Sequence, residues 1–146
     1  MVEIKIKKLH SNAIIPNYAH KGDAGMDIYS CEDTIIYPKQ RKAVSTGISI
    51  ALPENYVSLV WDKSGIALKQ GITTLAGVCD SGYRGEYKIV LLNTTTKNYK
   101  IKKGQKIAQI LIQKIETPEI KEVENLDETS RGDGGFGSTG LSGNSF

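Results

Sequence analysis

The residues best equipped for chemistry lie in Gly77-Val78-Cys79-Asp80-Ser81-Gly82-Tyr83-Arg84-Gly85-Glu86, where charged and ionisable side chains crowd a glycine-flanked bend. A carboxylate at a strand end, as Asp80 is placed here, is a natural general base, and extended backbone beside it can read a planar ligand with its own N–H and C=O groups. An ordinary hairpin in which Asp80 and Ser81 satisfy turn amides accounts for the same residues. Lys63-Ser64-Gly65 sets a cation, a hydroxyl and free amides at a helix start, the ingredients of an anion site, although simple capping by Ser64 explains it equally well. Asp23-Ala24-Gly25-Met26-Asp27 places carboxylates around a glycine turn, suited to a metal or to plain solvation. Gly104-Gln105-Lys106-Ile107-Ala108-Gln109-Ile110 puts Gln109 in an apolar strand, where a glutamine usually marks the solvent face.

The C-terminal stretch Arg131-Gly132-Asp133-Gly134-Gly135-Phe136-Gly137-Ser138-Thr139-Gly140 satisfies G-x-G-x-x-G in two frames. Neither frame is a dinucleotide-binding turn, because no helical pattern follows to face a pyrophosphate. The composition suits a mobile strap instead: a guanidinium and hydroxyls for phosphate, a ring for stacking, and backbone amides left free to donate.

Strands must position these groups. Val2-Glu3-Ile4-Lys5-Ile6-Lys7 and Tyr99-Lys100-Ile101-Lys102 alternate apolar and charged residues, which puts one apolar face on each. Further strands are expected over 26–30, 34–37, 42–52, 56–61, 72–79, 86–93 and 106–115, from β-branched and aromatic enrichment between turn signals such as Pro53-Glu54-Asn55. Short strands at this spacing predict an all-β chain, a jelly-roll barrel or sandwich. The one helical piece is Ser64 to Gln70, opened by a capping Ser and stopped at Gly71.

With 146 residues the chain builds one core, expected over 1–115. Residues 116–146 read as an acidic linker and a flexible glycine-rich arm, too polar to order themselves by burial. Charge follows the same division. Residues 1–115 hold 17 Lys or Arg against 9 Asp or Glu, and residues 116–130 hold 6 acids and one Lys. So basic a body attracts polyanions, without choosing between nucleic acid, nucleotide phosphates and an acidic partner. Two cysteines, Cys31 and Cys79, and two histidines, His10 and His20, make neither a disulfide framework nor a zinc site. The N-terminus lacks a signal-peptide core and no run reaches membrane-spanning length, so a reduced, cytoplasmic protein is expected.

Taken in order, AGMD, KSGIA, GVCDSGYRGE, KGQKIAQI and RGDGGFGSTG resemble the five motifs of the homotrimeric deoxyuridine triphosphatase (dUTPase) family, spread over positions 24 to 140. The resemblance implies a jelly roll in a homotrimer with shared active sites, and Mg²⁺-dependent hydrolysis of dUTP to dUMP and pyrophosphate. That activity keeps uracil out of DNA and supplies dUMP for dTMP synthesis. Asp80 then matches the base that activates water against the α-phosphorus. Tyr83 matches the ring under the deoxyribose, where no room is left for a 2′-hydroxyl. Thr74 to Asp80, with Gly77, Val78 and Cys79, matches the hairpin whose main chain reads uracil. Lys63, Ser64, Gly65 and Gln109 match phosphate contacts, Lys88 lies where some members contact the nucleotide, and Asp27 matches the acid linked to Mg²⁺ through water. In the arm, Arg131 would clamp the γ-phosphate, Phe136 would stack on uracil, and Gly137, Ser138 and Thr139 would supply amides and hydroxyls.

The motifs depart from the family pattern in places. Lys63 stands for the usual Arg and cannot make a planar bidentate contact. Cys79 replaces Ile or Val, Gln105-Lys106 replaces the frequent Asp-Arg, and Thr74 falls where some members carry a base-contacting Asn. Rival readings are a dCTP deaminase of related fold, a nucleotide-responsive regulator, and a nucleic-acid-binding jelly roll. The first lacks its own motif here, and the last rests only on the basic body. No membrane association and no stable nucleic-acid binding is expected.

Overall fold

The structure, a computed structural model, describes residues 2–135. Among them run β1 (Lys5–Lys8), β2 (Met26–Tyr29), β3 (Thr34–Ile36), β4 (Arg41–Ser45), β5 (Ile48–Ala51) and β6 (Tyr56–Trp61). A single short helix follows, α1 (Ser64–Gln70), and then β7 (Ile72–Leu75), β8 (Val78–Asp80), β9 (Lys88–Asn93), β10 (Tyr99–Ile101) and β11 (Lys106–Lys114). The larger sheets run β2-β11-β6-β8 and β4-β9-β7, and the pairs β1-β5 and β10-β3 complete the set. Every named pairing is antiparallel. This is the all-β jelly roll that the alternating pattern predicts, although the hydrogen-bonded ladders of the described residues do not close into one barrel. Alternation does its work along β9, where Ile89, Leu91 and Asn93 are buried while Lys88 faces solvent. Ile28, Val44, Ile48, Ile50, Ile107 and Ile110 meet Ile89 and Leu91 in one apolar core.

Two expected strands are each divided in the structure. Residues 42–52 become β4 and β5, because the chain turns at Gly47 (φ 68°) and changes partner from β9 to β1. The run 72–79 becomes β7 and β8, turned at Ala76 (φ 61°) and Gly77 (φ 120°). These two segments do not pair with each other as a hairpin would: β7 lies on β9 and β8 on β6. The segment is therefore a corner between sheets, which an apolar run cannot reveal because the choice of partner strand is not local. Gly77 is required there, since a Cβ would lie 2.8 Å from the carbonyl oxygen of Val60.

Helix α1 spans the predicted residues and ends at Gly71, whose N–H donates to Ala67 O at 3.0 Å. Its start differs from expectation. Lys63 is the N-cap residue, with no side-chain cap bond, and Ser64 is already helical. Beyond β11, Ile115 N donates to Asn55 O at 2.9 Å. Residues 116–133 are exposed and carry no strand or helix. No described helix is long and apolar enough to cross a membrane.

Candidate active site

The corner between the sheets opens a cleft of about 520 Å³ lined by Gly77, Val78, Cys79, Asp80, Tyr83 and Lys88, together with Glu86 and Tyr87. Its geometry follows from topology. β8 is the edge of its sheet and β7 the edge of the other, so each leaves one row of backbone N–H and C=O groups without a strand partner among the described residues. Asp80 ends β8 and is exposed, and its carboxylate accepts no hydrogen bond from a described residue. Its carbonyl accepts Tyr83 N at 3.1 Å, which closes the Asp80–Tyr83 turn.

Local contacts lock the Tyr83 ring. Its hydroxyl donates to Glu86 O at 2.9 Å, and the ring lies across Gly85, where a Cβ would come within 2.6 Å of Cζ. Its other neighbour is Tyr87, with centroids 6.0 Å apart and planes tilted by 48°. Glu86, in the cleft lining, ties the turn to β4 and to the bend before β5 by accepting from Ser45 Oγ and from Gly47 N at 2.9 Å. Burial pushes the Glu86 carboxyl up, but these donors outweigh it and hold its pKa below the ordinary value of 4.5. Burial pushes the Cys79 thiol up.

Away from this cleft, a second polar group gathers where β2, β6, β7 and β11 meet. Asp27 is buried, and its carboxylate holds Lys63 on Oδ1 and Lys106 on Oδ2, the latter at 2.6 Å. Burial raises the Asp27 pKa, and the ammonium groups of Lys106 and Lys63 more than reverse it, so it falls below 3.8. Asp62 accepts from Thr74 N at 2.5 Å, Thr74 Oγ1 at 2.7 Å and Thr73 Oγ1 at 2.8 Å. Here too burial raises the pKa and the donors lower it below its ordinary value. Gln109 donates through Nε2 to Asp62 O at 2.8 Å.

The structure thus sorts the sequence-derived candidates. Gly77, Val78, Cys79, Asp80, Tyr83 and Lys88 share one cleft. Asp27, Lys63, Thr74 and Gln109 belong to the second group, with Ser64 and Gly65 exposed at the start of α1. Neither the latter pair nor Arg131 lines the cleft. Arg131 is exposed and bonds Gly134 O at 2.9 Å. Phe136, Gly137, Ser138 and Thr139 lie outside the described residues. Thr74 has its N–H and hydroxyl committed to Asp62, so it lies in the second group without either donor to spare. Asp62, Lys106 and Tyr87 escaped the sequence reading. Asp62 and Lys106 meet partners distant in sequence, Tyr87 gives no sign of which of its neighbours it packs against, and only Lys106, inside a motif, carries any signal. Among the described residues no three His, Cys, Asp or Glu side chains cluster as metal ligands. Asp27, the acid expected to serve Mg²⁺ through water, is buried with both carboxylate oxygens on lysine ammonium groups, so those ion pairs must open before it can face a cation.

Comparison with known proteins agrees with this geometry. The dUTPase family model matches residues 11–140. The deoxyuridine 5'-triphosphate nucleotidohydrolase of Clostridium kluyveri is 50% identical over 141 residues, covering 95% of this chain and 99% of that protein. The dUTPase of Staphylococcus bacteriophage 80alpha, solved with dUpNHpp, superposes with a TM-score of 0.91 at 32% identity over 95% of this chain and 99% of its own. A mutant dUTPase from phage phi11 of S. aureus, described as revealing the coordination of a structural Mg(II) ion, gives 0.81 at 29% identity over 86% of this chain and 99% of that one. Matched by the family model over residues 11–140 and half identical to a curated member over nearly its whole length, the chain belongs to the dUTPase family.

Proposed function

We propose that this protein hydrolyses dUTP to dUMP and pyrophosphate by attack of water on the α-phosphorus, with Asp80 as the base. The observation that carries this reading is the cleft, where an unengaged carboxylate, a locked tyrosine ring and edge-strand backbone converge. Asp80 accepts the proton of the attacking water as the P–O bond to the leaving pyrophosphate breaks. Free N–H and C=O groups along 77–80 pair with the uracil edge. Cytosine, whose N4 amino group is a donor where uracil has an acceptor, would leave some unpaired. Tyr83 lies against the deoxyribose and excludes a 2′-hydroxyl by sterics, while Val78 and Cys79 bound the base.

Phosphates fall to Lys63, Ser64, Gly65, Gln109, Lys88 and Arg131. Because most of these do not line the Asp80 cleft of their own chain, the working enzyme is a homotrimer in which another copy supplies them. The folded body is 1–115, and 116–146 forms the arm that reaches across, bringing Arg131, Phe136, Gly137, Ser138 and Thr139 over the substrate to exclude water and align the triphosphate. Mg²⁺, when bound, neutralises phosphate charge. Asp27 would hold it through water, and Lys63 and Lys106 can exchange their ion pairs for phosphate oxygens. Free thiols at Cys31 and Cys79 fit a reducing cytoplasm.

The test is pyrophosphate release from dUTP, dCTP, dTTP and UTP with Mg²⁺, wild type beside Asp80→Asn. Turnover of dUTP alone, lowered by about 10²–10⁴-fold in the variant, is expected. Ammonia from dCTP, or no turnover of any nucleotide, would overturn the reading in favour of a deaminase or a nucleotide-responsive binder.

A further inference from the structure

We infer that Tyr87 is a specificity-determining positioning residue: its buried ring backs the Tyr83 ring and so sets how sharply the site separates dUTP from UTP. The inference rests on the sugar-facing role given to Tyr83 above. Three restraints on Tyr83, the turn bond to Asp80 O, the hydroxyl bond to Glu86 O and the lie across Gly85, are all internal to residues 80–86. That segment is mostly exposed, and Tyr83 itself is 46% exposed. A ring fixed only to its own turn moves whenever the turn moves.

Bonds from Ser45, Gly47 and Ser49 to Glu86 and Arg84 hold the turn, but they do not touch the ring of Tyr83; Tyr87 supplies the ring's own anchor. It is 2% exposed, packs in the main core, and lies against Tyr83 in the one aromatic pair among the described residues. Its backbone is held on both sides, with N donating to Ile48 O at 2.9 Å and O accepting from Thr46 Oγ1 at 2.5 Å. The ring thus joins an exposed recognition turn to a close-packed interior, and such interiors transmit displacement rather than absorb it. Its hydroxyl has a different status. Oη is buried beside Ser58 and Cys79 and makes no hydrogen bond to Tyr83, whose own hydroxyl donates to Glu86 O. The contribution to Tyr83 therefore resides in the ring and not in the hydroxyl, which separates two substitutions at one position.

Steric discrimination against one extra hydroxyl depends on holding the excluding ring within a fraction of an ångström. Replacing Tyr87 by Leu fills part of the volume but removes the face against which Tyr83 rests. The ratio of kcat/KM for dUTP over UTP is expected to fall by about 10-fold in Tyr87→Leu. In Tyr87→Phe it stays within about 2-fold of wild type, because no hydrogen bond to Tyr83 is lost. If Leu does not fold, Tyr87→Met, a flexible gap-filler, carries the same expectation. A cycle with Tyr83→Ala completes the experiment. If Tyr87 works through Tyr83, Tyr87→Leu adds no further loss of selectivity in the Tyr83→Ala background.

An unchanged dUTP-to-UTP ratio in Tyr87→Leu, with collapse in Tyr83→Ala, would overturn the inference and leave the reading of Tyr83 standing. An unchanged ratio in Tyr83→Ala would bring down that reading and this inference together. A fall in Tyr87→Phe equal to that in Tyr87→Leu, or additive losses in the cycle, would show that Tyr87 does not act through its ring on Tyr83.

Discussion

The two polar regions of this molecule are built on opposite plans. Around Asp80 the functional groups are open: the carboxylate accepts no hydrogen bond from a described residue, Val78 is 71% exposed, and the edge of β8 has no strand beside it. Around Asp27 and Asp62 almost every polar group is already spent on a neighbour, through ion pairs to Lys63 and Lys106 and hydrogen bonds from Thr73, Thr74 and Gln109. An open cleft is ready for a neutral base and sugar as it stands. The second region is a neutralised store of charge, whose lysines must leave Asp27 before they can serve a polyanion. On the proposed reading, one chain preorganises the nucleoside cleft by itself, whereas the groups assigned to phosphate await rearrangement and further copies.

The sharpest way to break that contrast is to remove the arm. Truncation after Ser130 takes away Arg131 and everything beyond it but leaves the cleft intact. Turnover of dUTP is expected to fall by about 100-fold or more, as alignment and exclusion of water are lost. The melting temperature should hardly move, since residues 116–133 are exposed and bury nothing. Steady-state kinetics and calorimetry on the same preparation check both halves, and an unaffected rate would show that the body suffices.

Next in size is the corner itself. Gly77→Ala sets a Cβ 2.8 Å from Val60 O in a residue at φ 120°, so both the contact and the backbone oppose it. A loss of about 1–3 kcal/mol in stability is expected, with a rise in KM for dUTP as the edge of β8 shifts. Denaturant unfolding reads the first and kinetics the second. A stable variant with altered KM would mean that the corner yields locally rather than straining the fold.

The sequence carried much of the fold and an unequal share of the site. Alternation located nearly every strand, because period-2 burial is a local property, visible in β9 as Ile89, Leu91 and Asn93 turning inward. It could not show that 42–52 and 72–79 each change sheets midway, since the choice of partner strand is non-local. The cleft was legible because Gly77 to Lys88 is one contiguous stretch. The second region was not, for Asp62 meets Thr73 and Thr74 through an 11- and 12-residue separation, and Asp27 meets Lys63 across 36. The motif around Lys63 points to a phosphate ligand, and the structure adds what no motif records, that its ammonium is paired with Asp27.

The smallest effect concerns protons, and it tests whether the second region is truly a neutralised network. Asp27 and Asp62 have folded pKa values below their ordinary 3.8, and Glu86 lies below 4.5, in each case because donors outweigh burial. In acid the unfolded chain binds these protons first. Their contribution to stability is therefore complete above the ordinary values and is lost as pH falls through the lower, folded ones. The melting temperature should be level between about pH 8 and pH 6 as far as these groups are concerned, then decline below about pH 4. Asp62→Asn keeps the shape of the hydrogen-bonding group but cannot ionise. It should melt somewhat lower than wild type at neutral pH, and the gap between the two should narrow in acid as wild-type Asp62 takes up its own proton. A gap constant from neutral pH into acid would mean that the Thr73 and Thr74 donors bind a neutral amide as well as a carboxylate, and that charge has no part in holding this corner closed.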